Sequence, residues 1–228
     1  MATKYPDCSP YNYCNSNPLM IIDPDGQDWF YYQDKKDKEP QWHWQKGSTA
    51  KYIDVDGNEQ QISNGYEYLM KYTITKDDNG YAQGYLELYY QDKRVSLNDD
   101  GAETSYAFSG DHSHPHLKEG NWFMDLSVRP KVELNGNMLK HINKGMQFWG
   151  NRDILNINGQ WRAINEWGGG RIKLNYGSNA YDHLDYYLHD RNKSLDFTFG
   201  CLATRDFNYI ASYFIRFNVK IVPLWVKK

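Results

Sequence analysis

Apolar and polar residues alternate with a period of two along much of this chain, broken by short turn signals, and no other feature constrains its fold as strongly. The alternation is clearest from Tyr85 to Leu97. Leu86 and Leu88 fall on one side, Gln91-Asp92-Lys93 makes a turn, and Val95 and Leu97 return. This predicts a β-hairpin, since successive strand side chains point to opposite faces. A second hairpin is predicted over 51–62, where Tyr52, Ile53 and Val55 precede Asp56-Gly57. Tyr72, Ile74 and the run Asp77-Asp78-Asn79-Gly80 predict a strand and a tight turn, although 66–75 keeps no clean period. Asn121 to Leu126 reads as a strand, and Val219 to Leu224 as a closing strand whose Pro223 suits a sheet edge. Helical spacing is confined to 207–217, through Ile210, Tyr213 and Phe214, with 139–146 the best candidate for another short helix. The expected fold class is mainly β, a β-rich α+β protein with one or two short helices.

Twenty Tyr, eight Trp and nine Phe, with a mean hydropathy of -0.85, fit many half-buried strands. The 228 residues leave room for one sizeable domain plus attachments. A net charge of -3 and a pI near 6.2 lack the basic footprint of a nucleic-acid binder, so no nucleic-acid partner is expected. No run approaches the roughly 18 apolar residues of a membrane helix, so no membrane span is expected, and Met1 is followed by polar residues rather than a signal peptide. Cys8, Cys14 and Cys201 are too few and too unevenly placed for a disulfide framework. Cys8 and Cys14 either pair or stay reduced.

The chemistry concentrates between Tyr186 and Asp206. His189 ends an apolar run, a polar loop follows, and Thr198-Phe199-Gly200-Cys201 leads into an amphipathic segment, a common layout for a thiol nucleophile and its base. A free thiol ionises near pH 8.5, roughly, so Cys201 needs help from a following helix N-terminus and from His189 as an imidazolium partner. Gly200 lets the backbone turn sharply enough to aim amide N–H groups at an oxyanion. For orientation His189 needs an acceptor: Asp190, a backbone carbonyl or His183, the last also the alternative base. Arg205 and Arg171 are candidates for gripping a carboxylate, against the plainer reading of surface ion pairs.

Two further clusters compete. His112, His114 and Asp125, with eleven positions from His114 to Asp125, have the ligand spacing of JAMM-type zinc isopeptidases, and two His plus one carboxylate leave a zinc position open for water. Trp122 occupies the place of that motif's Ser, and the Asp falls on a strand pattern rather than a helix start; a His-rich surface turn is the plainer reading. Gly168-Gly169-Gly170 precedes a strand and lacks the Lys-Ser/Thr of a phosphate loop, so it reads as a tight turn that permits close packing.

His189, Thr198, Gly200 and Cys201 together resemble the signature of the L,D-transpeptidase catalytic domain: a strand ending in His, a variable loop, then Ser/Thr-x-Gly-Cys with the Cys opening a helix. Here Asp190 replaces the usual Gly after the His, and Ala203 replaces the usual Arg, Asn or Asp two beyond the Cys. The loop of twelve positions is similar to the compact, toxin branch of the family. Tyr106 to Gly110, Leu117 with Gly120 and Trp122, and Trp167 to Leu174 extend the likeness over about 81–228. The resemblance implies a β-sandwich catalytic domain without a cofactor, acting on peptidoglycan stem peptides at the L-to-D bond through a thioester. Water as acceptor would make it a carboxypeptidase, and an amine a transpeptidase. Thr198, Arg205 and Arg171 would lie on the substrate side. Zinc enters only with the His112, His114 and Asp125 reading. A non-catalytic cell-wall-binding module is the other alternative, motivated by Asp190 and Ala203.

Near the start, Ser9 to Tyr13, Asn15, Asn17-Pro18 and Asp23 to Gly26 resemble the end of a rearrangement-hotspot (Rhs, YD-repeat) core. That likeness implies a turn-rich core tail over 1–28, a linker and hairpin region over 29–80, and the catalytic domain over 81–228. It further implies a toxin carried on a larger exported polypeptide, acting in the periplasm or cell wall of a target cell, with a cognate immunity protein as partner.

Overall fold

A computed structural model describes residues 27–63, 65–111, 114–130, 134–135, 138–139, 144–148, 168–177, 186–190 and 200–228. They fall into two compact units divided between Glu67 and Tyr68. The expected Rhs-like tail lies outside the described residues, except that Gln27 and Asp28 open the first strand.

In the first unit, the charged and aromatic stretch after residue 28 forms a hairpin of β1 (Gln27–Tyr32) and β2 (Gln41–Lys46). Asp37 ties its turn, accepting from the Asp34 N–H at 3.0 Å, Gln41 Nε2 at 2.6 Å and His43 Nε2 at 2.8 Å. The predicted second hairpin is present as β3 (Thr49–Ile53) and β4 (Glu59–Ser63). Its turn consumes Asp54, which accepts from the Asp56 and Asn58 N–H groups and from Gln60 Nε2. Phe30, Tyr32 and Ala50 form a small core, extended by the Tyr52 ring stacked 4.2 Å from Tyr32.

Among the described residues the second unit is built on one eleven-stranded, curled mixed sheet forming a half-barrel. Its spine is the long hairpin of β5 (Tyr68–Asp78) and β6 (Tyr81–Tyr90), turned by Asn79 (φ 48°) and Gly80 (φ 94°). The compact unit thus begins at Tyr68, because β5 pairs along its length with β6. Beyond β6 come the short β7 (Lys93–Arg94), which completes the predicted hairpin, and β8 (Ser105–Ser109). On the other side β5 meets the parallel β17 (Ile221–Lys227), then β9 (Gly120–Asp125) and β14 (Asn175–Tyr176). Contrary to the sheet-edge expectation, β17 is flanked on both sides and Pro223 sits opposite Phe123 of β9; pairing with β5 begins only at Leu224, so the missing N–H interrupts no ladder on that side.

The far wing runs outward from β8 through β16 (Leu202–Thr204), β15 (Tyr187–Asp190), β13 (Gly170–Lys173) and β12 (Met146–Phe148). A separate pair, β10 (Leu134–Asn135) and β11 (Met138–Leu139), precedes it. The helix expected over 139–146 is not formed at its described ends: Leu139 closes β11 and Met146 opens β12, while 140–143 lie outside the described residues.

The predicted helix is α1 (Phe207–Arg216), and among the described residues it is the one helix. Phe207, Ile210, Ala211 and Phe214 are buried, spaced i, i+3, i+4 and i+7 on one face. Asn218 ends it in the left-handed region (φ 52°), with its own N–H donating to the Ile215 carbonyl and the Val219 N–H to that of Phe214. This satisfies the last carbonyls and packs Val219 toward Phe214. The main core joins this helix face to Ile172, Leu188 and Leu202 of the wing and to Tyr72, Leu86, Trp122 and Leu224 of the central strands.

Candidate functional site

The wing strands alternate sharply. Ile172, Leu188 and Leu202 enter the core, so their neighbours Arg171, Lys173, Tyr187, His189 and Ala203 occupy the opposite face. That face is closed to solvent: Arg171 and Lys173 are each 2% exposed and His189 5%. Burial of two cations on one short strand is unusual and needs a polar environment. The Tyr187 ring provides part of it, with Arg171 Cζ 4.8 Å and Lys173 Nζ 5.2 Å from its centroid.

His189 is paired in parallel register with Ala203, two residues beyond Cys201. Cys201 lies directly ahead of β16, between the Gly200 turn and Leu202. Cys201 is a buried thiol outside any disulfide. Tyr186 lies beside it: burial first, then the nearby Cys201, pushes the Tyr186 phenol above its usual range.

Gly200 sets the approach to Cys201. Its φ of +85° belongs to the left-handed region, and a Cβ there would lie 2.7 Å from the Tyr186 ring and 3.3 Å from the Pro115 carbonyl. Ser109 Oγ donates to the Gly200 carbonyl at 3.0 Å and accepts from the Leu117 N–H at 3.0 Å, pinning this turn to the loop after β8. Gly200→Ala is therefore expected to destabilise the protein by about 1–2 kcal/mol. Urea unfolding would read this as a lower midpoint; an unchanged midpoint would mean that the turn does not need glycine.

His189 is oriented by the backbone. Its Nδ1–H donates to the Asp190 carbonyl at 2.7 Å, which puts the lone pair of the neutral ring on Nε2. The Asp190 carboxylate points to the other face, accepting at Oδ2 from the Gly169 N–H and from Asn208 Nδ2, both at 3.1 Å. It thereby ties the glycine turn to α1. A Cβ on Gly168 would meet the Asp190 side chain at 2.3 Å and one on Gly169 the Asn208 amide at 1.9 Å, so the glycine run serves close packing.

Two electrostatic expectations change. Burial above all, with Arg171 adding to it and the Asp190 carbonyl opposing, lowers the His189 pKa to about 4. The ring is therefore neutral at physiological pH and does not supply the imidazolium expected from the sequence. Nor does Cys201 open a helix, because β16 intervenes and α1 begins at Phe207.

In strand register His189 lies between Arg171 and Ala203, and Gly200 and Cys201 come directly ahead of the strand that holds Ala203. Arg171 is not the surface ion pair of the plainer sequence reading. Arg205 is exposed in the turn before α1. Thr198, His183 and His112 lie outside the described residues, as do Cys8 and Cys14. His114 is exposed, its ring 3.1 Å from Asp111 Oδ1, and Asp125 Oδ1 accepts from the Ser127 N–H and hydroxyl. Among the described residues no three His, Cys, Asp or Glu side chains group as metal ligands, and no helix is long and apolar enough to cross a membrane.

Sequence reasoning missed Gln147, Lys173, Tyr186 and Ser109. Only Lys173 left a signal, as the second cation of the alternating Arg171-Ile172-Lys173. No protein-family model matches the chain, and neither a curated protein nor a solved structure matches it.

Proposed function

We propose that this chain is a cysteine acyltransferase of the L,D-transpeptidase type, acting on peptidoglycan stem peptides as the toxin end of an Rhs-type polypeptide. The observation that carries the reading is the parallel register of His189 with Ala203, two residues beyond Cys201, combined with a hydrogen bond that makes His189 Nε2 the basic nitrogen.

In the proposed cycle the Cys201 thiol attacks the peptide carbonyl carbon at the L-to-D bond while its proton passes to His189 Nε2. Because the ring starts neutral, proton transfer accompanies attack instead of preceding it. Backbone N–H groups around the Gly200 turn hold the resulting oxyanion. Collapse breaks the C–N bond, and His189 returns the proton to the departing amine, leaving a thioester. A D-amino acid, a neighbouring stem or water then attacks the thioester, His189 takes its proton, and the thiol leaves reprotonated. The buried charge of Arg171 and Lys173 favours a carboxylate-bearing acyl donor. The L,D-transpeptidase-like fold, the periplasmic site of action and the immunity partner are part of the same proposal.

The test is mass spectrometry of diaminopimelate-type muropeptides incubated with the protein, with and without added D-amino acids. Loss or exchange of the terminal D-alanine, absent with Cys201→Ala, is the expected result. Unchanged muropeptides, under conditions where a control transpeptidase works, would remove the peptidoglycan reading.

A further inference from the structure

Gln147 extends the polar row on the side away from Cys201. Strand register places Gln147, Arg171, His189 and Ala203 at successive positions across β12, β13, β15 and β16, and Gln147 is 1% exposed. Arg171 Nε donates to Gln147 Oε1 at 2.8 Å, so the amide is fixed with its oxygen toward the guanidinium. The other end, Gln147 Nε2, is fully buried and has no hydrogen-bond partner among the described residues. Leaving a buried amide donor unmatched costs about 1–3 kcal/mol, and native proteins leave few such groups. A ligand oxygen at this spot would offset that cost.

We propose that Gln147 Nε2 and the Arg171 guanidinium form a carboxylate-binding subsite for the acyl donor. The class of group follows from the donors. Guanidinium and amide nitrogen offer N–H groups and no acceptor, and the guanidinium carries a permanent charge, which suits a carboxylate better than a hydroxyl or an amine. Its position narrows the choice. β13 and β12 lie two and three strand spacings from β16, about 10 and 14 Å. The recognised carboxylate is therefore several bonds from the carbonyl that Cys201 attacks, as the free carboxylates of a stem peptide's D-glutamate and diaminopimelate residues are. This assignment rests on the acyl-transfer reading.

The test uses the full chain carrying Cys201→Ala, so that binding is measured without turnover, and calorimetry with the tetrapeptide L-Ala-γ-D-Glu-meso-diaminopimelate-D-Ala. Forms amidated singly at the glutamate or the remote diaminopimelate carboxylate are compared. One amidated form is expected to bind at least about tenfold more weakly. Gln147→Glu keeps the acceptor for Arg171, removes the donor and adds a repelling charge. It should weaken the free acid at least about tenfold, leave that amidated form unaffected, and not lower Tm. Equal affinities of acid and amides, or a Gln147→Glu variant that weakens all forms alike, overturn the subsite and make Gln147 structural. If Gln147→Glu does not fold, Gln147→Met, which removes the same donor, is read the same way. No binding of any form by the Cys201→Ala protein also overturns the subsite. Cys201-dependent turnover in the parent would then leave the acyl-transfer reading standing, and its absence would remove both.

Discussion

Cys201→Ser and His189→Ala should each lower acyl transfer at least about a thousandfold, and the double variant should be no slower than the slower single one. In the proposed cycle the two side chains act on one proton in one step: without the base the thiol attacks poorly, and without the thiol the base has nothing to deprotonate. Once either is gone, removing the other costs little more. Folding does not explain such a loss. Ser is nearly the size of Cys in the closed position next to Tyr186, and the backbone there is set by Gly200 and Ser109 rather than by the thiol. Single-turnover kinetics on a stem tetrapeptide, with Tm recorded for each variant, separate the effects. A His189→Ala enzyme retaining more than about a tenth of the parent rate would mean that Tyr186 or solvent takes the proton, and His189 would be left with a packing role. Losses that multiply in the double variant would equally oppose a shared step.

What the sequence carried of this site was local. Hairpin turns such as Asn79-Gly80 and the spacing of Phe207, Ile210 and Phe214 are written in neighbouring residues, and so was the placing of His189 on a strand and Cys201 ahead of an amphipathic segment. The stretch 66–75 resisted reading for a physical reason: Tyr68, Leu69 and Met70 are buried in succession, so both faces of β5 are covered at its start and the alternation holds only from Met70 to Ile74. Asp190 misled because adjacency in a strand puts two side chains on opposite faces. The residue contributes its carbonyl to His189 while its carboxylate serves the glycine turn. Gln147 was invisible because its partnership with Arg171 crosses 24 positions and depends on β12 pairing with β13, which no local pattern encodes. The same holds for the curl of the sheet, set by which strands pair rather than by what each strand contains.

Stability should fall as pH is lowered from about 6.5 toward 4, by about 2.5 kcal/mol between pH 7.5 and 4.5, with His189 as the source. An unfolded chain protonates this histidine at its ordinary value of 6.5, whereas the folded protein resists until about 4. Within that window the unfolded state binds a proton that the native state refuses, so each step toward acid favours unfolding; above pH 6.5 both states are neutral and the effect vanishes. Carboxylates work in a lower window. Asp77 is held below its usual range first by the Lys228 ammonium and also by His116, and Asp54 by the N–H of Asn58 and by Gln60, so their contributions are lost only as pH drops below about 4. Urea unfolding at pH 4.5, 5.5, 6.5 and 7.5 would trace the slope, and His189→Gln should flatten it. A parent protein as stable at pH 4.5 as at 7.5 would show that His189 accepts its proton in the folded state without penalty. An imidazolium partner for Cys201 would then be available after all, and the general-base order of events would have to give way to a preformed ion pair. The pH dependence of folding thus decides a question about the chemistry without a substrate.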